Sequence, residues 1–262
     1  MAVGLVAVLG CLFAAPAGAA REPATTPTTQ PVDYPSALTA RLAREWGDPA
    51  LAAEIVGGLD AGFLTALEAK VPLAQVATSP LLTYLPERQP AKVFDSVVVY
   101  AFGYRDRADA SRDPGPVNEA LAASTRALLK KHPDVPVYAQ TEIAEILAAA
   151  GVPGVTSIDP VVGPDGQTVY LSTAGVVAQA KDKAAAAGVD LGTVAVVAFG
   201  DHLGRSLLTT EAAGLDAGVA KGVRLPTAYD PQSAQPWTRD RRTYLGTDLV
   251  ARVATLGSAP SA

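Results

Sequence analysis

Apolar positions along the chain follow two different rhythms. Between Ser36 and Lys70 they recur at helical spacing: Leu38, Leu42 and Trp46 share one face, Gly47-Asp48-Pro49 interrupts it, and Leu51, Ile55, Leu59, Phe63 and Leu67 share another. This predicts two helices. Residues 71–92 contain Pro72, Pro80, Pro86 and Pro90 and read as an irregular connection. From Val93 the rhythm changes to short β-branched runs separated by amphipathic stretches. Val97-Val98-Val99-Tyr100-Ala101-Phe102 is such a run, as expected of a strand covered on both faces in a parallel sheet. Val135-Pro136-Val137-Tyr138-Ala139 is a second, with Pro136 suited to an edge or to a strand start. Thr193 to Phe199 is the clearest, and a further strand falls at either Val155–Ile158 or Thr168–Leu171.

The stretches between them read as helices. One runs from Val117 to Lys131, with Lys130 and Lys131 at the negative end of its dipole. Others run from Thr141 to Ala150, stopped by Gly151, and from Ser172 to Ala187, stopped by Gly188 as a C′ glycine. A helix starts near Asp201, and a last one near Thr238 carries Leu245, Leu249, Val253 and Leu256 along one face. Strands alternating with helices define an α/β domain with a mainly parallel sheet over residues 93–257, preceded by a short helical N-terminal region and connection over 37–92.

Residues 2–20 stand apart. They hold no charged side chain, Val3 to Ala15 has the length of a secretory apolar core, and Ala17-Gly18-Ala19 supplies the small-x-small pattern before a cleavage point near Ala20. Three readings fit: a cleaved signal peptide, a retained anchor that keeps the protein near a membrane, and a lipid anchor on Cys11. The cleaved signal is adopted, and it places the mature protein outside the cytoplasmic membrane, extracellular or in the cell envelope. Residues 21–36 are rich in Pro and Thr and read as an extended linker.

Composition narrows the functional classes. Of 262 residues, 49% are hydrophobic and 18% charged, which is ample for a core and excludes a wholly disordered chain. A formal net charge of −5 argues against a nucleic-acid partner held by a basic surface. Two His and one Cys leave almost no material for a zinc or iron–sulfur site, so no metal is expected.

In open parallel sheets ligands bind beyond the carboxyl ends of the strands, where the next helices begin. That rule selects three segments. In Gly103 to Asn118, the two terminal residues stand closest to the strand end and the helix start, while Arg105, Arg107 and Arg112 and the nearby aspartates read as solvated. In Gln140-Thr141-Glu142, Thr141 is a capping residue and Glu142 complements the dipole; an acid–base role for Glu142 requires burial. In Gly200-Asp201-His202-Leu203-Gly204-Arg205-Ser206, Asp201 is a plausible N-cap. Arg205 in the first turn opposes the positive end of the helix dipole, a cost of a few tenths of a kcal/mol that an anion would offset. Backbone N–H groups, Arg205 and His202 together describe a phosphate or anion site. The structural alternative pairs Arg205 with Asp201 or Glu211. The aromatic segment from Tyr229 to Trp237 either lids this site or fixes the last helix to the core, and the second is expected.

No Gly-x-Gly-x-x-Gly, Walker A or Gly-x-Ser-x-Gly motif is present, so no cofactor is specified and a P-loop, ordinary dinucleotide or serine-esterase reading fails. His132 and His202 both precede Ser206, the reverse of the hydrolase order.

From about Val93 to Leu215 the chain resembles the YdcF/ElyC/SanA family of envelope-associated domains. The resemblance rests on His202-Leu203-Gly204-Arg205 after an apolar strand, on Gln140-Thr141-Glu142 followed by Gly151-Val152-Pro153, and on Ser172-Thr173 before a helix. It departs from the family at the first strand end, where only Gly103 remains of a glycine-rich turn, and after Thr173, where a Glu-Asn pair is missing. The resemblance implies a three-layer αβα Rossmann-like domain, adds Thr173 to the ligand-binding set of Gly103, Asn118, Thr141, Glu142, Gly200, Asp201, His202 and Arg205, and suggests peptidoglycan or envelope-lipid metabolism. The expected function is an exported protein that binds a small phosphate- or nucleotide-like anion, with Glu142 and His202 as the titratable groups placed to act on it. The alternatives are a non-catalytic envelope interaction module and an S-adenosylmethionine-type cofactor binder.

Overall fold

Val97, Val98 and Val99 are covered on both faces, and their strand lies inside the sheet that organises the molecule. The computed structural model describes residues 32–108, 111–163, 168–169 and 171–257. The signal reading of residues 1–20, Cys11 and the linker up to residue 31 lie outside the described residues.

The chain enters through α1 (Tyr34–Trp46), capped by Asp33, whose Oδ1 accepts the Ser36 N–H at 2.8 Å. α2 (Pro49–Gly57) is capped by Asp48 and α3 (Ala61–Lys70) by Asp60. The single helix expected over Leu51 to Leu67 is therefore two. The apolar spacing continues, but Gly57-Gly58 breaks the ladder and Asp60 caps a new start. The connection to Lys92 contains short 3-10 turns and β1 (Arg88–Gln89), an edge strand of the main sheet.

β2 (Ser96–Val99) leads into an antiparallel ribbon of β3 (Arg105–Asp106) and β4 (Arg112–Asp113), then α4 (Gly115–Leu129), β5 (Val137–Gln140), α5 (Thr141–Ala149) and β6 (Val155–Ile158). A second ribbon, β7 (Val161–Val162) with β8 (Thr168–Val169), precedes α6 (Thr173–Ala186), β9 (Val194–Val197), α7 (Leu203–Ala212), β10 (Ala217–Ala220) and α8 (Arg241–Gly257). Of the two segments open for a further strand, Val155–Ile158 joins the main sheet and Thr168–Val169 pairs only with β7. Pro136 immediately precedes β5, an interior strand, so its missing N–H costs no ladder bond, and its carbonyl accepts from Val97 N–H at 2.9 Å. β10, with a single β-branched residue, is held as a strand by its neighbours β9 and β1.

The six strands run β1-β10-β9-β2-β5-β6, every pair parallel. From β2 the chain winds outward through α4, β5, α5 and β6, then returns through α6 to β9 on the other side of β2. With right-handed crossovers this places α4 and α5 on one face and α6 and α7 on the other, a three-layer Rossmann-like αβα fold. Val32 onward forms one compact unit that includes the N-terminal helices. The strand order reverses between β2 and β9, where such sheets leave a crevice beyond their carboxyl ends.

The strand end at that crevice demands glycine. Gly103 has φ +73°, and a methyl group there would stand 2.5 Å from Ser233 Oγ and 2.8 Å from Thr238 Oγ1. Gly214 has φ +81° with open space around it. Gly214→Ala should cost about 1 kcal/mol of strain, and Gly103→Ala about 2–4 kcal/mol, because strain and overpacking act together. Urea unfolding of both variants checks this; equal costs would mean that the segment over Gly103 yields freely.

Candidate functional site

A cleft of about 330 Å³ opens at the reversal point. Its floor is the end of β2, Tyr100 to Gly103, where Phe102 stacks on Phe199 from the end of β9 at 4.1 Å between ring centres. β5 contributes Gln140, the head of α6 contributes Leu171, Ser172, Thr173 and Val176, and the start of α7 contributes His202 and Arg205. Gln235, Trp237 and Thr238 from the segment before α8, with Tyr244 from α8, complete the wall.

Arg205 is built into this wall. Its Nε donates to Asp248 Oδ1 at 2.5 Å, Nη1 to Thr173 Oγ1 at 2.9 Å and Nη2 to the Tyr244 hydroxyl at 3.1 Å. Asp248 is wholly buried, and its other oxygen accepts from Arg252 Nε at 2.6 Å. Arg252, also wholly buried, donates from Nη1 to the carbonyls of Leu81 and Thr83 and lies 3.7 Å over the ring of Tyr84. It passes so close to α7 that a methyl on Gly204 would stand 2.6 Å from its Nη2. Burial alone would push the Asp248 carboxyl up, but the Arg252 and Arg205 guanidiniums outweigh it and hold the pKa below the ordinary carboxylate value. Against the cost of its own burial, Arg205 is held charged by Tyr244 and Asp248.

His202 is 5% exposed and sits among the rings of Tyr100, Phe102 and Tyr244 at 6.0–6.2 Å. Its Nδ1 is buried without a hydrogen-bond partner. Burial first, and then the nearby Arg205 charge, depress its pKa well below the usual histidine value, so the ring is neutral at pH 7.

Of the nine residues expected to bind ligand, Gly103, Thr173, His202 and Arg205 line the cleft. The other five do not. Asn118 is a buried strap: its Oδ1 accepts from Phe102 N–H at 2.9 Å, and its amide donates to the carbonyls of Gly103 and Pro114. Thr141 is the first helical residue of α5, not its cap, and its hydroxyl is engaged with Ser157, Ile158 and Asp159. Glu142 is buried, which pushes its carboxyl pKa up, but it stands outside the cleft wall. Gly200 donates to the Pro226 carbonyl. Asp201 caps nothing; Arg241 and the Tyr229 hydroxyl hold its carboxylate.

Arg205 has neither Asp201 nor Glu211 as its partner, and Asp248 explains why sequence reasoning missed it: the two residues sit on different helices, 43 positions apart. A signal was present in α8, where Tyr244, Asp248 and Arg252 form an i, i+4 row beside the apolar row of Leu245, Leu249 and Val253, so charges fall on the buried face. Trp237 does not fix α8 to the core. It is 45% exposed and stands at the cleft. Among the described residues no group of three or more His, Cys, Asp or Glu side chains is placed to hold a metal ion.

Comparison of the chain with models of known families, with curated proteins and with solved structures gives no match.

The depressed His202 pKa makes stability depend on pH. Below about pH 6.5 the unfolded chain binds a proton at this residue that the folded state refuses, so stability falls as pH falls through that range. Wild-type protein should lose more stability between pH 7 and pH 5 than His202→Gln, by up to about 2 kcal/mol. Urea midpoints at both pH values measure the difference, and parallel losses would show that His202 is not held neutral.

Proposed function

We propose that this protein binds a small phosphate-like anion in the cleft between β2 and β9. The observation that carries the reading is the charge of the cleft wall: two guanidiniums, Arg205 and Arg252, share the single Asp248 carboxylate, and His202 is neutral. One positive charge is left over. Arg205 is the member of the trio that reaches the cleft, and its three protein bonds leave two of the five guanidinium N–H donors unspent. Beside it the amide end of α6 opens at Ser172 and Thr173, where the helix dipole favours negative charge. Fixed donors around surplus positive charge suit a phosphoryl group.

Export to the cell envelope, and a role in peptidoglycan or envelope-lipid metabolism, belong to the same proposal; residues 2–20 and the family resemblance support them. An S-adenosylmethionine-type site fits less well, because the turn at Gly103 is filled by Ser233 and Thr238.

Removing Arg205 altogether should destabilise the protein, since its loss strips a donor from buried Asp248. Arg205→Lys keeps the charge and loses the fork. Calorimetric titration of the full-length protein with inorganic phosphate should give saturable binding that weakens with added chloride. Arg205→Lys should weaken it by about 1.5–3 kcal/mol, the worth of a charge-assisted hydrogen bond, with its far-ultraviolet dichroism unchanged. If inorganic phosphate, sulfate and phosphate esters all fail to bind or to raise the melting temperature, the anion reading is wrong, and a non-catalytic interaction module takes its place.

A further inference from the structure

The cleft holds hydrogen-bonding capacity that an anion does not use. Gln140 and Gln235 both line it, and both are more than nine-tenths buried. Gln140 spends its side-chain oxygen on the Ala101 N–H at 2.8 Å, and its amide nitrogen has no partner among the described residues. Gln235 uses only its backbone, accepting from Thr238 Oγ1 and donating to Ser233 Oγ, so its side-chain amide is unpaired among the described residues. Buried amides are normally satisfied, and here the open side is the cleft.

Trp237 adds a flat surface. It lies in a 3-10 turn (Pro236–Thr238) whose segment is tied down: Ala234 N–H donates to the Tyr104 carbonyl at 2.7 Å, Arg105 grips Asp230 through two 2.8 Å bonds, and Thr238 bonds Ser233 at 2.7 Å. The turn that carries the indole is thus fixed in place, and Trp237 stands at the cleft with nearly half its surface in water and no ring of a described residue stacked on it. A volume of about 330 Å³ is at the small end for ligand sites, which run from roughly 300 to 1,000 Å³.

Resting on the anion reading, we infer that the ligand is a phosphate monoester of a nitrogen heterocycle, the size of a mononucleotide. Its ring lies on Trp237, its edge faces the amides of Gln140 and Gln235, and its phosphate meets Arg205 and Thr173. Side-chain amides pair with heterocycle edges through matched donors and acceptors, as glutamine does with adenine, and indole faces stack on any such ring.

The test titrates the full-length protein with adenosine and uridine monophosphates, ribose 5-phosphate, adenosine, uridine and inorganic phosphate. At least one nucleoside monophosphate should bind ten times more tightly than ribose 5-phosphate. Trp237→Ala should erase that difference, and Gln235→Ala should reduce it, while both variants leave inorganic phosphate affinity unchanged. Trp237 is half-exposed, so its removal should spare the fold, and melting temperature checks this. Ribose 5-phosphate binding as tightly as every nucleotide, or an advantage that survives Trp237→Ala, overturns this inference and leaves the anion reading standing. A free nucleoside binding as tightly as its monophosphate overturns the anion reading, and with it the phosphate half of this inference, while failure of every probe overturns both entirely.

Discussion

The carboxylate of Asp248 joins α7 and α8 through Arg205, Tyr244 and Arg252. It is a wholly buried charge, tolerable only because guanidiniums approach both of its oxygens. Each guanidinium then fixes a different part of the molecule. Arg252 reaches the carbonyls of Leu81 and Thr83 and covers the Tyr84 ring, which meets Trp46 edge-on at 5.5 Å; that couples the N-terminal helices to α8. Arg205 belongs to α7 and donates to Thr173 at the head of α6. One carboxylate therefore sets the spacing of α6, α7, α8 and the entry segment. Such a pair adds little net stability compared with apolar residues of equal size, but losing one member leaves an uncompensated buried charge, so the arrangement resists piecemeal change.

The cleft follows from the sheet and is finished by this network. Winding outward from β2 in two directions leaves a gap where the order reverses, as in any sheet of this kind. Its contents are particular to this chain. Asn118 holds the turn after β2, Gly103 lets the segment from Ser233 to Thr238 press down on that turn, and the Arg105–Asp230 pair clamps the same segment from outside. The Arg205 donors and the turn that carries Trp237 thus stand in place before any ligand arrives, which lowers the ordering cost of binding.

The α/β pattern was legible because both-face burial favours runs such as Val97–Val99 and Val194–Val197, and these alternate with amphipathic helical stretches. The local rule that ligands meet strand ends also pointed to segments that form the cleft, and with them to Gly103, His202 and Arg205. Features that depend on tertiary neighbours were not legible. β1 is only Arg88–Gln89 and β10 has one β-branched residue, so neither carries a strand pattern of its own. Asp201 and Thr141 have the chemistry of caps, but Arg241 and the β6 end took their oxygens instead. Gln140, Gln235 and Trp237 belong to segments far apart in sequence that only the folded sheet brings to one cleft.

Asp248 and its two guanidiniums act as one unit, and a stability cycle on the wholly buried pair measures that coupling. Asp248→Leu alone should destabilise the protein by about 3–5 kcal/mol, because it leaves Arg252 charged and buried. Adding Arg252→Met should restore the part of that loss that comes from Arg252, since the wholly buried pair is then apolar, while Arg205 stays charged without its carboxylate. If the two losses simply add, the charges are not coupled and the account of the cleft wall is contradicted.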